Sequence, residues 1–457
     1  MARVLLVHAR AGAPPEYTIP KVAAVADTCV LAVTPLSATA RSVADTCCET
    51  VVDISDSRPH ADQLVEHIVA AAHRVGADAV LTFSEFAVIA VAEACQRLGL
   101  PGPGPNVRRA RDKRAMREVW QRAGVPVPTW LPADSIEELR SAWHRLTPPV
   151  LLKSAWSAAA VGQVIIRSED ELPAAWESSG AALAGGNESW FSELRLSAAG
   201  QQPAPGFLVD EIIPSSIRSW YDDDRYGDHI SVEGVVVEGR YHPVCITSKA
   251  PTTPPFTERA NFTPCVLAPA LQRRIEEIAR RAVDALELGT CATHTEMKLL
   301  DGERVCLLES AARFGGVLLT REVEHVHGVD MIGAYTRAAL GEDPGLPDTM
   351  LVQPTAHAAG SVALYAADSR GRPWSTLPPF VPDRIDWASL LSPGTKAEVF
   401  DGLSLPSGSP MPVYDAANGY LNSAGLVFLT APDPATLLAD AHAIMDGLEH
   451  ALIRAGQ

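Results

Sequence analysis

Thr290-Cys291-Ala292-Thr293-His294-Thr295-Glu296-Met297-Lys298-Leu299-Leu300, then Asp301-Gly302, then Glu303-Arg304-Val305-Cys306-Leu307-Leu308-Glu309 are two apolar alternations joined by Asp-Gly. That pattern predicts a β-hairpin, because a tight hairpin turn needs positive φ and Asp-Gly tolerates it. Loop parity then decides the chemistry. A two-residue loop pairs Leu300 with Glu303 and Glu296 with Leu307, leaving Glu309 diagonal to Glu296 on one face at roughly 7 to 8 Å. A four-residue loop sets the glutamates directly opposite, whereas three residues send Glu309 to the other face, since side chains alternate with period two. Either even loop puts Glu296, Lys298 and Glu309 together. Facing carboxylates repel unless a proton or cation intervenes, and Mg²⁺ suits the place because it takes one or two carboxylates plus substrate phosphates and water. A solvated charged face with Lys298 as counter-ion is the alternative.

Working outward, Arg313-Phe314-Gly315-Gly316 follows the hairpin. It offers a cation for charge developing in phosphoryl or acyl transfer, and a backbone that a ligand can approach closely. Far upstream, strands Val4 to His8, Val30 to Val33, Val51 to Ile54 and Ala79 to Phe83 alternate with helical patterns, which predicts a parallel sheet with helices on its faces. No GxGxxG follows the first strand, so a dinucleotide site is not expected. Leu100-Pro-Gly-Pro-Gly-Pro105 reads as a linker. Beyond it, Met116, Val119, Trp120 and Ala123 mark a helix face, and Ser135 with Glu138 and Ser168 with Glu171 form capping boxes. These elements give a small α+β lobe over about residues 125–209. Strands at Phe207 to Ile213, Ile230 to Val237 and Tyr241 to Ser248 follow, then a long helix through Leu271 to Leu286, and short strands with a final helix close the chain from about Met350.

Length sets a prior of about three domains. The expected boundaries are 1–105 for a Rossmann-like parallel-sheet domain, 106–345 for the central domain and 346–457 for an α+β subdomain. No apolar run approaches the roughly 18 residues that cross a bilayer. Met1 to His8 lacks a basic n-region and cleavage site, so it reads as a first strand and the cytoplasm is the expected location. Eight cysteines without a CxxC pair read as free buried thiols. The net charge of -17 disfavours nucleic acid and anionic lipid as partners. Lysine is scarce: only Lys21, Lys113, Lys153, Lys249, Lys298 and Lys396 occur among 38 basic residues. Position alone makes Lys113 a surface lysine of an exposed first helical turn and Glu85 a charge at a helix N-terminus. Lys153 ends an apolar strand, where a charge must be paired.

Together with Thr82-Phe-Ser-Glu85, Asp112-Lys-Arg-Ala-Met-Arg117, Val150-Leu-Leu-Lys153, Val209-Asp-Glu-Ile-Ile213, His294-Thr-Glu-Met-Lys298 and Glu309-Ser-Ala-Ala-Arg313, the chain resembles the ATP-grasp superfamily, and within it the L-amino-acid ligase branch. The resemblance implies an α/β and α+β multidomain ATP-grasp fold, with a pre-ATP-grasp domain ahead of it. It implies an ATP-dependent carboxylate-amine ligase working through an acyl phosphate on small-molecule substrates, with ATP and Mg²⁺ (or Mn²⁺) and a homodimeric assembly. Lys113 and Lys153 are implied at the phosphates, and Glu211, Ile212 and Ile213 at the adenine. Lys249 and Lys298 are implied as phosphate or metal partners, and Glu296 and Glu309 as metal ligands. Arg313 is the implied transition-state arginine, and Glu85, Asn261, Gly316 and Val317 line the substrate pocket. The chain departs from the family pattern in three places. The loop Ser154 to Gly162 is poor in glycine, Ala311 replaces a frequent asparagine, and Asn261 replaces a frequent histidine. A bicarbonate-activating relative of biotin carboxylase and a non-catalytic nucleotide-binding protein are the rival functions.

Overall fold

The computed structural model describes residues 2–10, 12–158, 160–184, 206–415 and 422–456. The expectations for residue 159 of the glycine-poor loop and for residues 185–205 of the small lobe lie outside these.

The N-terminal strands β1 (Arg3–His8), β2 (Asp27–Ala32), β3 (Thr50–Asp53) and β4 (Ala79–Thr82) form a parallel sheet in the order β3-β2-β1-β4. β1, β2 and β4 are buried and largely apolar on both faces because helices cover both sides, as parallel sheets require, whereas the edge strand β3 is partly exposed. A small antiparallel sheet, β5-β8-β6-β7, combines β5 (Trp130–Ala133), β6 (Val150–Ser154), β7 (Val164–Ile166) and β8 (Phe207–Glu211) around its own core of Leu139, Leu152, Phe207 and Val209. The largest sheet is antiparallel and eight-stranded. It is built from β9 (His229–Val237), β10 (Arg240–Lys249), β11 (Ala260–Thr263), β12 (Cys291–Leu300), β13 (Arg304–Ala311), β14 (Ala358–Leu364), β16 (Lys396–Val399) and β18 (Gly425–Ala431), in the order β13-β12-β9-β10-β11-β14-β18-β16. A separate pair, β15 (Pro379–Phe380) and β17 (Ser409–Pro410), lies outside it. The C-terminal strands therefore extend the same sheet that carries the hairpin.

Two local expectations change. Leu100 to Pro105 is no free linker: Pro103 and Gly102 accept the amides of Gly289 and Thr290 at 2.7 Å each, and a side chain at Gly289 would meet the Gly102 carbonyl at 2.4 Å. The segment is thus pinned to the start of β12. Ser135 caps its helix by accepting the Glu138 amide, but Ser168 makes no side-chain cap, and its segment opens as a 3₁₀ turn over Glu169–Glu171. All eight cysteines are free.

The turn after Arg313 docks onto the N-terminal sheet. Phe314 is buried, stacks on Phe83 at a centroid distance of 5.9 Å and meets Tyr335 edge-on at 6.1 Å. Such aromatic contacts fix the turn beyond simple area burial, so Glu85, two residues beyond Phe83, is held beside Arg313.

Candidate active site

A cavity of about 630 Å³ opens between the small sheet, the face of the large sheet and the end of β1. Four of the six lysines, Lys113, Lys153, Lys249 and Lys298, line it.

The hairpin departs from both even loops. Leu300 pairs with Arg304, so the turn has three residues, Asp301-Gly302-Glu303, with Gly302 at φ 68° and Glu303 at φ 56°. By alternation Glu309 should face away. A second irregularity cancels the first: Met297 pairs with Leu307 but Glu296 pairs with Glu309, so Leu308 is the extra residue of a β-bulge. The carboxylates stand directly opposite on one face with Lys298, and all three line the cavity. Backbone groups freed at the bulge find distant partners. The Leu307 amide donates to Pro126 O at 2.8 Å, and buried Arg117 donates from Nη1 to Leu308 O at 2.8 Å.

Each carboxylate is compensated. Glu309 lies 3.0 Å from Lys113 Nζ. Glu296 meets His294 Nε2 at 3.0 Å, Lys249 Nζ at 3.6 Å and His229 Nε2 at 3.6 Å. Burial works against the Glu296 anion, but His229 and Lys249 outweigh it and hold its pKa well below the usual range. His294 is pushed up to about 9: burial opposes its charge, and Glu233 at 2.8 Å, with Glu296, overrides burial. Lys249 also pairs with Glu258 at 2.8 Å, so its net shift is upward although burial opposes it.

The remaining expected residues fall as follows. Lys113 is buried, not on the surface: its ammonium donates to Ser157 O at 2.7 Å, because the loop after β6 folds over this helical turn. Lys153 has the partner its position demanded, Asp210 Oδ2 at 2.5 Å, diagonally across the β6/β8 pairing. Burial still lowers its pKa overall. Ile212 and Ile213 line the cavity just past β8, as does Glu211, whose carboxylate accepts the Thr147 amide at 2.9 Å. Lys298 pairs with Asp228 at 2.5 Å. Asn261 lines the cavity opposite Lys249 in the β10/β11 register, and its Oδ1 is buried without a hydrogen-bond partner. Gly316 leaves open space where a Cβ would stand, and Val317 holds a positive φ of 56°, rare for a β-branched residue. Glu85 does not line the main cavity. It is buried behind Arg313, taking its Nε at 2.5 Å and Arg111 Nη1 at 2.9 Å. Burial disfavours the Glu85 anion, but Arg313, Arg111 and Lys113 bring its net shift downward.

Sequence reasoning missed Asp210, Asp228, His229 and Glu258, which also line the cavity. For Asp210 the signal was present, since a carboxylate inside the apolar strand Phe207–Glu211 needs a partner as much as Lys153 does. The donor chemistry fits a hard divalent cation: Glu296 and Glu309 face each other in register and remain partly exposed, at 15% and 25%. His229, Glu258 and Glu296 also bring one donor atom each to within 4.8 Å of one another.

The N-terminal, small and large sheets with this cavity make an ATP-grasp fold, and residues 37–102 match the family described as the ATP-grasp N-terminal domain. Within that class the chain is similar to the L-amino acid ligase from Bacillus licheniformis, with a TM-score of 0.72, 16% identity and 97% of each chain covered. It is 33% identical over 298 residues to alanine–anticapsin ligase of Bacillus subtilis (strain 168), covering 64% of this chain and 60% of that protein's length. The biotin carboxylase domain of 2-oxoglutarate carboxylase from Hydrogenobacter thermophilus, solved with MgADP and bicarbonate, shares the fold at a TM-score of 0.64 and 19% identity over 94% of this chain and 86% of that one. No helix of the described residues is long and apolar enough to cross a membrane.

Proposed function

We propose that the protein is an ATP-dependent ligase that joins a small carboxylate, such as an amino acid, to an amine with release of ADP and phosphate. The observation that carries this is the direct Glu296–Glu309 pairing on the wall of a cavity that also presents Arg313 and four lysines. The likeness to alanine–anticapsin ligase supports an amino-acid substrate.

In this reading Glu296 and Glu309 hold Mg²⁺, which when bound neutralises charge on the reacting phosphates. Lys113 and Lys153 meet those phosphates as ammoniums already oriented by Glu309 and Asp210, so little reorganisation is needed. The backbone of Ile212 and Ile213 borders the adenine, with Glu211 bracing the hinge through Thr147. Lys249 and Lys298 hold the cation side of the site. Arg313, its guanidinium fixed by Glu85 and by the Phe314 carbonyl at 2.8 Å, stabilises charge as the substrate carboxylate attacks the γ-phosphate and as the amine displaces phosphate. Asn261, Gly316 and Val317 border the substrates, and Glu85 shapes that wall from behind Arg313. Closure of the small sheet over the cavity keeps water from the acyl phosphate. A cytoplasmic location and a homodimer complete the proposal, the latter to be read from light scattering.

A phosphate-release screen over amino acids, singly and in pairs, with mass spectrometry of the products, tests it. Phosphate release that needs both substrates and yields an amide is expected. Carboxylate-dependent ADP release with no amide under a broad amine panel overturns it, and bicarbonate-stimulated release would favour the carboxylase-like rival.

A further inference from the structure

Two basic residues flank the N-cap Asp112, and each bridges the loop after β6 to a carboxylate at the site. Lys113 joins the Ser157 carbonyl to Glu309, at 2.7 and 3.0 Å. Arg111, outside the reading above, does the same one residue earlier in the loop. Its Nη2 donates to Trp156 O at 2.8 Å and its Nη1 meets Glu85 Oε1 at 2.9 Å. The guanidinium is 2% exposed and lies against the rings of Phe86 and Trp156, at 5.5 and 5.9 Å from their centroids. Glu85 is shared, since its other oxygen takes Arg313 Nε at 2.5 Å. An unbroken path therefore runs from the Trp156 carbonyl through Arg111 and Glu85 to Arg313. The next loop residue, Ser157, lines the main cavity, so a ligand there touches the loop at one end of the path and Arg313 at the other.

We propose that Arg111 is a positioning residue: it transmits the placement of the Ala155–Ser157 loop to Arg313 through Glu85. This rests on the reading of the cavity as an ATP site. An ammonium on a flexible stem, as at Lys113, can join a carbonyl to a carboxylate without fixing their spacing, whereas the planar guanidinium fork sets the separation and direction of its two arms. When the loop settles on nucleotide phosphates, Trp156 draws on the fork, and Glu85 turns the Arg313 guanidinium toward the reacting carboxylate. No bond is made or broken by Arg111 itself.

Arg111→Lys keeps the charge and removes the fork. In the full-length protein it is expected to lower kcat about 10- to 100-fold while the KM for ATP stays within about twofold, the mark of a misplaced catalytic group rather than lost binding. Added to Glu85→Gln, it should cost little more, because both break one path. A readout free of turnover is hydrogen exchange with Mg²⁺ and the analogue AMPPNP. In the wild-type protein the analogue should slow exchange at residues 155–158 and at 312–317. In Arg111→Lys protection of the loop should remain and that of 312–317 should vanish. Equal protection of both segments in the variant, additive losses with Glu85→Gln, or a change in the KM for ATP alone would overturn the proposal. If Arg111→Lys does not fold, Glu85→Gln makes the same exchange test. Wild-type protein that is protected by AMPPNP but forms no amide would remove the ligase reading and leave the coupling standing. No protection at either segment would remove the ATP site, and the coupling with it.

Discussion

The hairpin β12/β13 and the small sheet β5–β8 both present charge to one cavity, yet they hold it by opposite means. On the hairpin, position comes from register: Glu296 and Glu309 meet because a three-residue turn and a one-residue bulge offset each other. In the small sheet it comes from a single buried pair, Lys153 with Asp210, which also lies 3.5 Å from Arg117 Nη2. Register is insensitive to any one contact but sensitive to the chemistry of the two groups it aligns. A buried pair is the reverse, since removing one partner strands the other in a medium that solvates it poorly.

The comparison can be broken in order of expected effect. Glu309→Gln or Glu296→Gln should leave the fold intact and lower ligation on the order of 10³-fold, as loss of a preorganised charge at a reacting centre does; steady-state phosphate release checks this, and activity within threefold of wild type would contradict it. Asp210→Asn should act on stability as well as on ligation, lowering stability by about 3 kcal/mol because Lys153 and Arg117 lose their shared anion. Urea unfolding with an unchanged m-value is the measurement, and a loss of activity without a loss of stability would put Asp210 in the hairpin's category.

A third test concerns Glu322, which is buried against β11 and β14 of the large sheet through Thr263 and Ser361. Burial pushes its carboxyl up to about 8, against the hydrogen bonds from Ser361 and Thr263, with Glu233 raising it and Lys249 lowering it. Its folded pKa thus exceeds the unfolded value, so the wild-type fold loses stability as pH rises from near the ordinary carboxylate value to about 8. Glu322→Gln removes that loss: its Tm should match wild type near pH 4.5 and exceed it by a few degrees above about pH 8. A constant Tm difference across that range would contradict the shifted pKa. Smallest of all, deleting Glu303 should convert the turn to Asp301-Gly302 with Leu300 still beside Arg304, at a cost under about 0.5 kcal/mol. It removes a positive-φ residue and only an exposed ion pair with Arg274. Activity should be unchanged.

Much of this was legible in the chain. The alternating strands, the shared face of Glu296, Lys298 and Glu309, and the need to pair Lys153 all follow from period and polarity. The turn length was not, because Glu303 carries no sign that it will adopt a left-handed conformation. Nor was the bulge, which depends on Pro126 and Arg117 reaching in from other parts of the chain to satisfy Leu307 and Leu308. The shared face was therefore inferred correctly through an incorrect loop. Lys113 was misplaced for the same reason. Its helical position suggests exposure, and its burial comes from a loop some forty residues further on. Asp228, His229 and Glu258 gave no local signal, since each gains meaning only from partners across the sheet.

The most direct test of the central claim, that the offset hairpin makes Glu296 and Glu309 serve one cation, is Mn²⁺ binding followed by electron paramagnetic resonance in the presence of AMPPNP. The wild-type protein should hold Mn²⁺ with the analogue, and Glu296→Gln and Glu309→Gln should each weaken that binding to a similar extent, with the double variant little worse than either. Binding unchanged in both single variants, or lost in one and untouched in the other, would contradict the shared site.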